Sequence, residues 1–179
     1  MNYNPIVVIA GEPNSIFLEI FFKAKKKIYK RPLILIASEK LVLSQMKKLK
    51  FNYEINLINE SKINLNKLSQ KKINLINVNY SFKKPFEKIT DKSNYYIAKC
   101  FIMALDIIKN NKHIDLINGP ISKKNFLKQK FLGITEYLLK KTSTKKNVAM
   151  LIYNKELSVS PLTTHLPIKE VNKNIIYNQ

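Results

Sequence analysis

The chain has 179 residues, 45% of them apolar, with a formal charge of +20, enough apolar material for one ordinary domain and too much for a disordered chain. Its single cysteine, Cys100, excludes an internal disulfide and a thiol cluster for zinc, and fits a reducing cytoplasm. The sequence opens without a charged-then-apolar leader, and no apolar run approaches the roughly 20 residues of a spanning helix, which predicts a soluble, unexported protein.

In chain order, "PIVVIAGEP" (Pro5 to Pro13) is an apolar burst ending in a Gly-Glu-Pro turn, and "SIFLEIFFKAKKK" after it carries apolar residues at helical spacing. "RPLILIAS" (Arg31 to Ser38) is a second buried-strand candidate, followed by a helix over Glu39 to Lys50. Phe51 to Lys88 is rich in Asn and Lys, and its runs "YEINLI" and "INLINV" read as half-buried or edge strands. Ser93 is expected to cap a helix running to Asn111, with Ile97, Phe101, Ala104, Leu105 and Ile108 on one apolar face. "IDLINGPISKKNFL" reads as strand, break and helix, and "GITEYLLKKT" as a further helix. "NVAMLIYN" and "LSVSPLTT" read as two strands, with a last helix from Ile168. Alternating strands and helices predict an α/β fold with a mainly parallel sheet and flanking helices, including an antiparallel hairpin late in the chain.

Nearly all the positive charge is lysine, with Arg31 the only arginine, scattered among many Ile and Asn. Nucleic-acid sites use arginine for bidentate contacts to phosphates and bases, so the expectation is solvated lysine faces, no nucleic-acid or membrane partner, and weak attraction for polyanions at most.

Ligands of parallel sheets bind at the carboxyl ends of strands. Three turns there are candidates: Gly11-Glu12-Pro13, the Asn118 to Lys124 segment with Gly119 and Lys123, and "TTHLP" around His165. Each has a plainer reading: the glycines as turn formers, Lys123 as a surface lysine, His165 as a histidine satisfied at a helix start. His113 reads as a polar loop residue. No GxGxxG or GxxxxGK[ST] occurs, so neither a Rossmann nor a P-loop nucleotide site is expected.

Together, "IAGEPNSI", "INGPISKKNFL", "FLGITEYLLKKT" and "VSPLTTHLPIKEV" resemble, in order and spacing, segments of the 4-hydroxythreonine-4-phosphate dehydrogenase family of vitamin B6 (pyridoxal 5'-phosphate) biosynthesis. The resemblance implies an isocitrate/isopropylmalate-dehydrogenase-like fold and a cytoplasmic homodimer with a shared active site. It also implies oxidation of 4-phosphooxy-L-threonine with NAD (NADP as the alternative), followed by decarboxylation. A divalent metal (Zn, Mg or Co) held by three histidines goes with that chemistry; by resemblance His165 is the first of them, and Thr135 matches the substrate-binding threonine. The chain departs from the family at Ile134, where most members have a histidine, and in length, since the family is nearly twice as long. The resemblance therefore reads the chain as an amino-terminal portion, incomplete at its carboxyl end and inactive alone. Residues 1–118 would form a first α/β subdomain, and 119–179 the start of a second, interface-forming one. The alternative is a stand-alone, non-catalytic α/β module for phosphorylated ligands; a basic nucleic-acid-binding protein is the weaker third reading.

Overall fold

The computed structural model describes residues 4–60, 63–64, 67–111, 114–128, 130–142, 149–163 and 166–175. It divides into two units, Met1–Lys128 and Gln129–Gln179.

In the first unit the Val-, Ile- and Leu-rich runs become β1 (Ile6–Ile9), β2 (Leu33–Ala37), β3 (Ile55–Leu57), β4 (Ile73–Asn77) and β5 (Asp115–Asn118). They form one sheet in the order β3-β4-β2-β1-β5, every neighbouring pair parallel. The continuous apolar strands β1 and β2 suit this arrangement because helices cover both faces. Helices α1 (Phe17–Lys25) and α2 (Glu39–Lys48) cover one face, with Leu18, Phe21, Phe22, Leu41, Val42 and Met46 packed on Val8, Leu35, Ala37, Ile73 and Leu75. Helix α3 (Asn94–Asn110) packs on β1, β2 and β5 and buries Tyr96, Ile97, Cys100, Phe101, Ala104 and Ile107. Its Leu105 and Ile108, expected on the buried stripe, are half-buried, and the covered face is turned toward Cys100 and Ile107.

Three expectations change here. β3 is an edge strand as its pattern predicts, but β4 is central, flanked by β3 and β2, and Ile73, Asn74, Leu75 and Ile76 are all buried. The alternation of β4 misleads because Asn74 is fully hydrogen-bonded. Its Oδ1 accepts from the Ser69 amide (2.8 Å) and Asn56 Nδ2 (2.8 Å), and its Nδ2 donates to the Leu33 (3.0 Å) and Ser69 (2.9 Å) carbonyls. Ser93 does not cap α3. It closes a 3-10 turn (Asp91–Ser93) with helical dihedrals, and its hydroxyl is used elsewhere. The helix expected after β5 is one five-residue π turn, Lys123–Leu127, capped by Ser122 Oγ accepting from the Asn125 amide at 3.2 Å.

The second unit contains α4 (Ile134–Thr142) and α5 (Ile168–Val171), the latter running into a 3-10 turn over Asn172–Asn174. Phe131 meets Tyr137 edge to face at 5.4 Å between ring centroids. The two strands expected from "NVAMLIYN" and "LSVSPLTT" reduce, among the described residues, to one antiparallel bridge between Ile152 and Val159. Consecutive side chains Leu151, Ile152 and Tyr153 are 65%, 60% and 73% exposed, so neither face of the ribbon is buried to propagate a ladder. Asn147, Val148 and Thr164 of those segments lie outside the described residues.

Candidate active-site crevice

The chain moves outward from β1 through β2 toward β3 and β4, then returns by α3 to place β5 on the other side of β1. The strand order therefore reverses between β1 and β5, where open α/β sheets bind ligands, at the strands' carboxyl ends. Both Gly-Pro-containing turns leave the sheet at this point. Gly119 donates its amide to the Ile9 carbonyl at 2.7 Å, and Glu12 donates its amide to the Pro120 carbonyl at 2.8 Å.

These bonds explain both glycines. A Cβ on Gly11 would lie 2.4 Å from the Pro120 carbonyl oxygen, and one on Gly119 would lie 2.3 Å from that of Ala10. Gly11 also has φ +73°, a region side chains rarely adopt. The space that a side chain would occupy at each turn is filled by the backbone of the other, so neither glycine is left open as a cradle for a phosphate.

Beneath the crossing sits Glu12, 3% exposed. Its Oε1 accepts from the Asn14 amide at 3.2 Å, and its Oε2 from the Ser93 hydroxyl at 2.9 Å. Asn14 Oδ1 in turn accepts from the Glu87 amide at 3.0 Å. One carboxyl group thus ties the turn after β1 to the start of α3, and through Asn14 to the segment before it. Burial pushes Glu12 above the ordinary carboxylate value, opposed by its hydrogen bonds to Ser93 and Asn14. Burial and then the nearby Glu12 charge push the Tyr80 phenol up.

On the α3 side of the sheet, the buried Tyr96 hydroxyl accepts from the Ser38 amide at 3.0 Å and is held well above its usual value, chiefly by burial. Burial also pushes the Cys100 thiol to about 12, so it stays protonated and is no nucleophile at neutral pH. The crevice floor is consequently a hydrogen-bonded scaffold, and reactive groups must come from its rim or from other segments.

The structure brings Gly11, Glu12 and Gly119 together. Lys123 is exposed at the start of the π turn that follows Gly119. Thr135 is half-buried in the first turn of α4, in the second unit. His165 and His113 lie outside the described residues. Among the described residues no three His, Cys, Asp or Glu side chains are grouped to hold a metal. Asn14 and Tyr80 were not singled out in the sequence, and Ser93 was read only as a helix cap: it follows Glu12 by 81 positions, and no local motif joins them.

The family model described as pyridoxal phosphate biosynthetic protein PdxA matches residues 29–179. The chain is 27% identical over 180 residues to the 4-hydroxythreonine-4-phosphate dehydrogenase of Wigglesworthia glossinidia brevipalpis, covering 97% of this chain and 52% of the relative. It is 30% identical over 174 residues to that of Sulfurihydrogenibium sp. (strain YO3AOP1), covering 95% and 52%. The crystal structure of the Klebsiella pneumoniae 4-hydroxythreonine-4-phosphate dehydrogenase shares the fold, with a TM-score of 0.78 at 20% identity, over 96% of this chain and 54% of that one. The chain spans about half the length of the curated relatives it matches. Its switch-point turns are those of a parallel α/β sheet, and the family model covers most of its residues: the chain belongs to the family of pyridoxal phosphate biosynthetic protein PdxA.

Proposed function

We propose that this chain supplies the amino-terminal part of a 4-hydroxythreonine-4-phosphate dehydrogenase, a cytoplasmic homodimer that oxidises 4-phosphooxy-L-threonine with NAD and releases carbon dioxide. The observation that carries this reading is the family match over residues 29–179, in a chain whose β1 and β5 turns form a switch-point crevice.

In this reading the first unit is the rigid part. Glu12, Ser93 and the interlocked glycine turns fix the crevice floor, and Lys123 offers an ammonium to the substrate phosphate or the cofactor. Thr135 donates or accepts a hydrogen bond at the substrate, and His165 is one metal ligand. A divalent metal, held in part by His165, would supply Lewis-acid stabilisation of charge on the substrate oxygen. The described residues assemble no cage for it, and the filled turns at Gly11 and Gly119 leave no cradle for a dinucleotide pyrophosphate. Neither group is therefore assigned to the crevice floor. Ile134 cannot donate to the substrate phosphate, so a lysine takes that role.

The test joins this chain to the carboxyl half of the Sulfurihydrogenibium relative and measures NADH formation from 4-phosphooxy-L-threonine. The joined protein is expected to turn over, the chain alone is not, and His165→Ala in the joined protein should lower kcat at least about 1,000-fold without unfolding it. A folded, substrate-binding joined protein that forms no NADH would overturn the assignment. Near-normal turnover of His165→Ala with full metal content would remove the histidine from it.

A further inference from the structure

At the amino end of the sheet, opposite the crevice, the carboxyl ends of α1 and α2 and the loop before β4 form one continuous surface. Lys25 Nζ donates to the Gln70 carbonyl at 2.5 Å, and Gln70 Nε2 donates to the Lys30 carbonyl at 3.4 Å. Lys26 lies over the Phe51 ring, 5.7 Å from its centroid, just beyond the end of α2. The segment from Lys23 to Arg31, KAKKKIYKR, has six basic residues in nine, and Lys47, Lys50 and Lys71 stand exposed on the elements around it. The carboxylates bound into this surface are each held by a cation: Glu19 by Lys23 and Glu54 by Lys72, both at 2.6 Å, and Asp115 by Arg31. At the centre of the basic loop Ile28 is 77% exposed, with Tyr29 beside it at 38%.

Lysines at helix carboxyl ends are favoured by the helix dipole and need no partner to explain them. That account says nothing about an isoleucine held out among them. A polybasic surface carrying an exposed aliphatic side chain has the two signals that anionic bilayers reward: lysines near the headgroups, and apolar area that enters the interface. Nucleic acid would use other features. The only arginine is occupied by Asp115 and the Asn4 and Pro5 carbonyls, the Phe51 ring is covered by Lys26, and the Tyr29 hydroxyl is tied back to the Ala24 carbonyl at 3.2 Å. Fork-like phosphate contacts are thus missing from this surface, and of its two aromatic rings one is covered by a lysine and the other is tethered by its hydroxyl.

We infer that the amino end of the sheet, centred on Lys23–Arg31, is a docking surface for anionic lipid bilayers, with Ile28 entering the interface. This departs from the expectation of no membrane partner drawn from lysine scatter, and it is independent of the dehydrogenase assignment, whose crevice lies at the other end of the sheet.

The experiment is co-sedimentation of the purified chain with phosphatidylcholine vesicles, with and without about 30 mol% phosphatidylserine, at roughly 0.15 M salt. The chain should bind the phosphatidylserine vesicles and not the neutral ones. Lys27→Glu with Lys30→Glu and Lys71→Glu should weaken binding at least about 100-fold, and Ile28→Ser about 10-fold. Lys83→Glu with Lys84→Glu and Lys124→Glu, at the other end of the sheet, should change it less than about twofold. Vesicles should also protect the amides of residues 26–30 of the unmodified chain from hydrogen exchange, a readout that needs no variant. Equal losses from the two triple variants would mean net charge alone, and would overturn the inference, as would an Ile28→Ser protein that binds normally. Tighter binding to a single-stranded RNA of about 30 nucleotides at the same salt would assign the surface to nucleic acid instead.

Discussion

Glu12 carries a conflict that its neighbours only partly relieve. Two hydrogen bonds favour its carboxylate, while burial at 3% exposure favours the neutral acid, and burial is the larger effect. The folded chain therefore holds this proton at pH values where the unfolded chain has begun to release it. The stability that comes with the bound proton is complete below the ordinary carboxylate value of 4.5 and is lost as pH rises through the higher folded value. Glu12→Gln keeps an acceptor for the Asn14 amide and an amide for Ser93 Oγ, and it does not titrate. Urea midpoints measured from pH 4 to 8 should fall for the unmodified chain relative to Glu12→Gln, and the gap should open with rising pH. A constant gap would show that Glu12 is not protonated preferentially in the folded state. The glycines beside it present a different case. Their sequence context showed that turns were needed, but only the structure shows that each turn fills the other's space.

Among the elements, β4 shows what hydrophobic pattern does and does not reveal. Its run of Ile, Asn, Leu, Ile and Asn reads as an alternating pattern, in which Asn74 looks like a residue for a wet edge. It is instead 1% exposed, because it closes four hydrogen bonds that join β4 to the Leu33 carbonyl, the Ser69 backbone and Asn56 on β3. Asn74→Ala would leave those half-buried partners without it, at a cost of about 1–3 kcal/mol. A urea titration with an unchanged slope and a lowered midpoint would register that loss. A shift below about 0.5 kcal/mol would mean that water replaces the amide. β1 and β2 were legible because four- and five-residue apolar runs between turn residues have few other uses, and β5 because its short Leu-Ile pair runs straight into a Gly-Pro break. The strand order was not, since it depends on helix packing across the sheet. Ser93 was misread for a similar reason: a serine before a helix ordinarily caps it, and here Glu12 takes the hydroxyl. Of the candidate site, the residues on the β1 and β5 turns could be found from Gly and Pro, whereas Asn14, Tyr80 and Ser93 join it only through contacts distant in sequence.

Across the molecule, the two units differ in how they hold themselves together. Among the described residues, every buried apolar side chain except Tyr137 belongs to the first unit, which has helices on both faces of its sheet. Among its described residues, which form one bridge pair, two helices and a 3-10 turn, the second unit exposes Leu151, Tyr153, Leu157, Leu162 and Ile168 at 65%, 73%, 69%, 64% and 92%. So little burial falls far short of the conformational entropy of ordering some fifty residues at about 1–2 kcal/mol each. A chain ending at Lys128 should therefore unfold in a single cooperative transition, with a midpoint within about 5 °C of the longer chain's. The piece from Gln129 to Gln179 alone should show no cooperative transition. Circular dichroism melts of the two pieces and of the whole chain make the comparison, and dye binding to exposed apolar surface should follow the second piece and be weak for the first. A Met1–Lys128 chain that fails to fold would show that the second unit completes the first unit's core, and the stability of the crevice would then depend on residues outside the sheet that forms it.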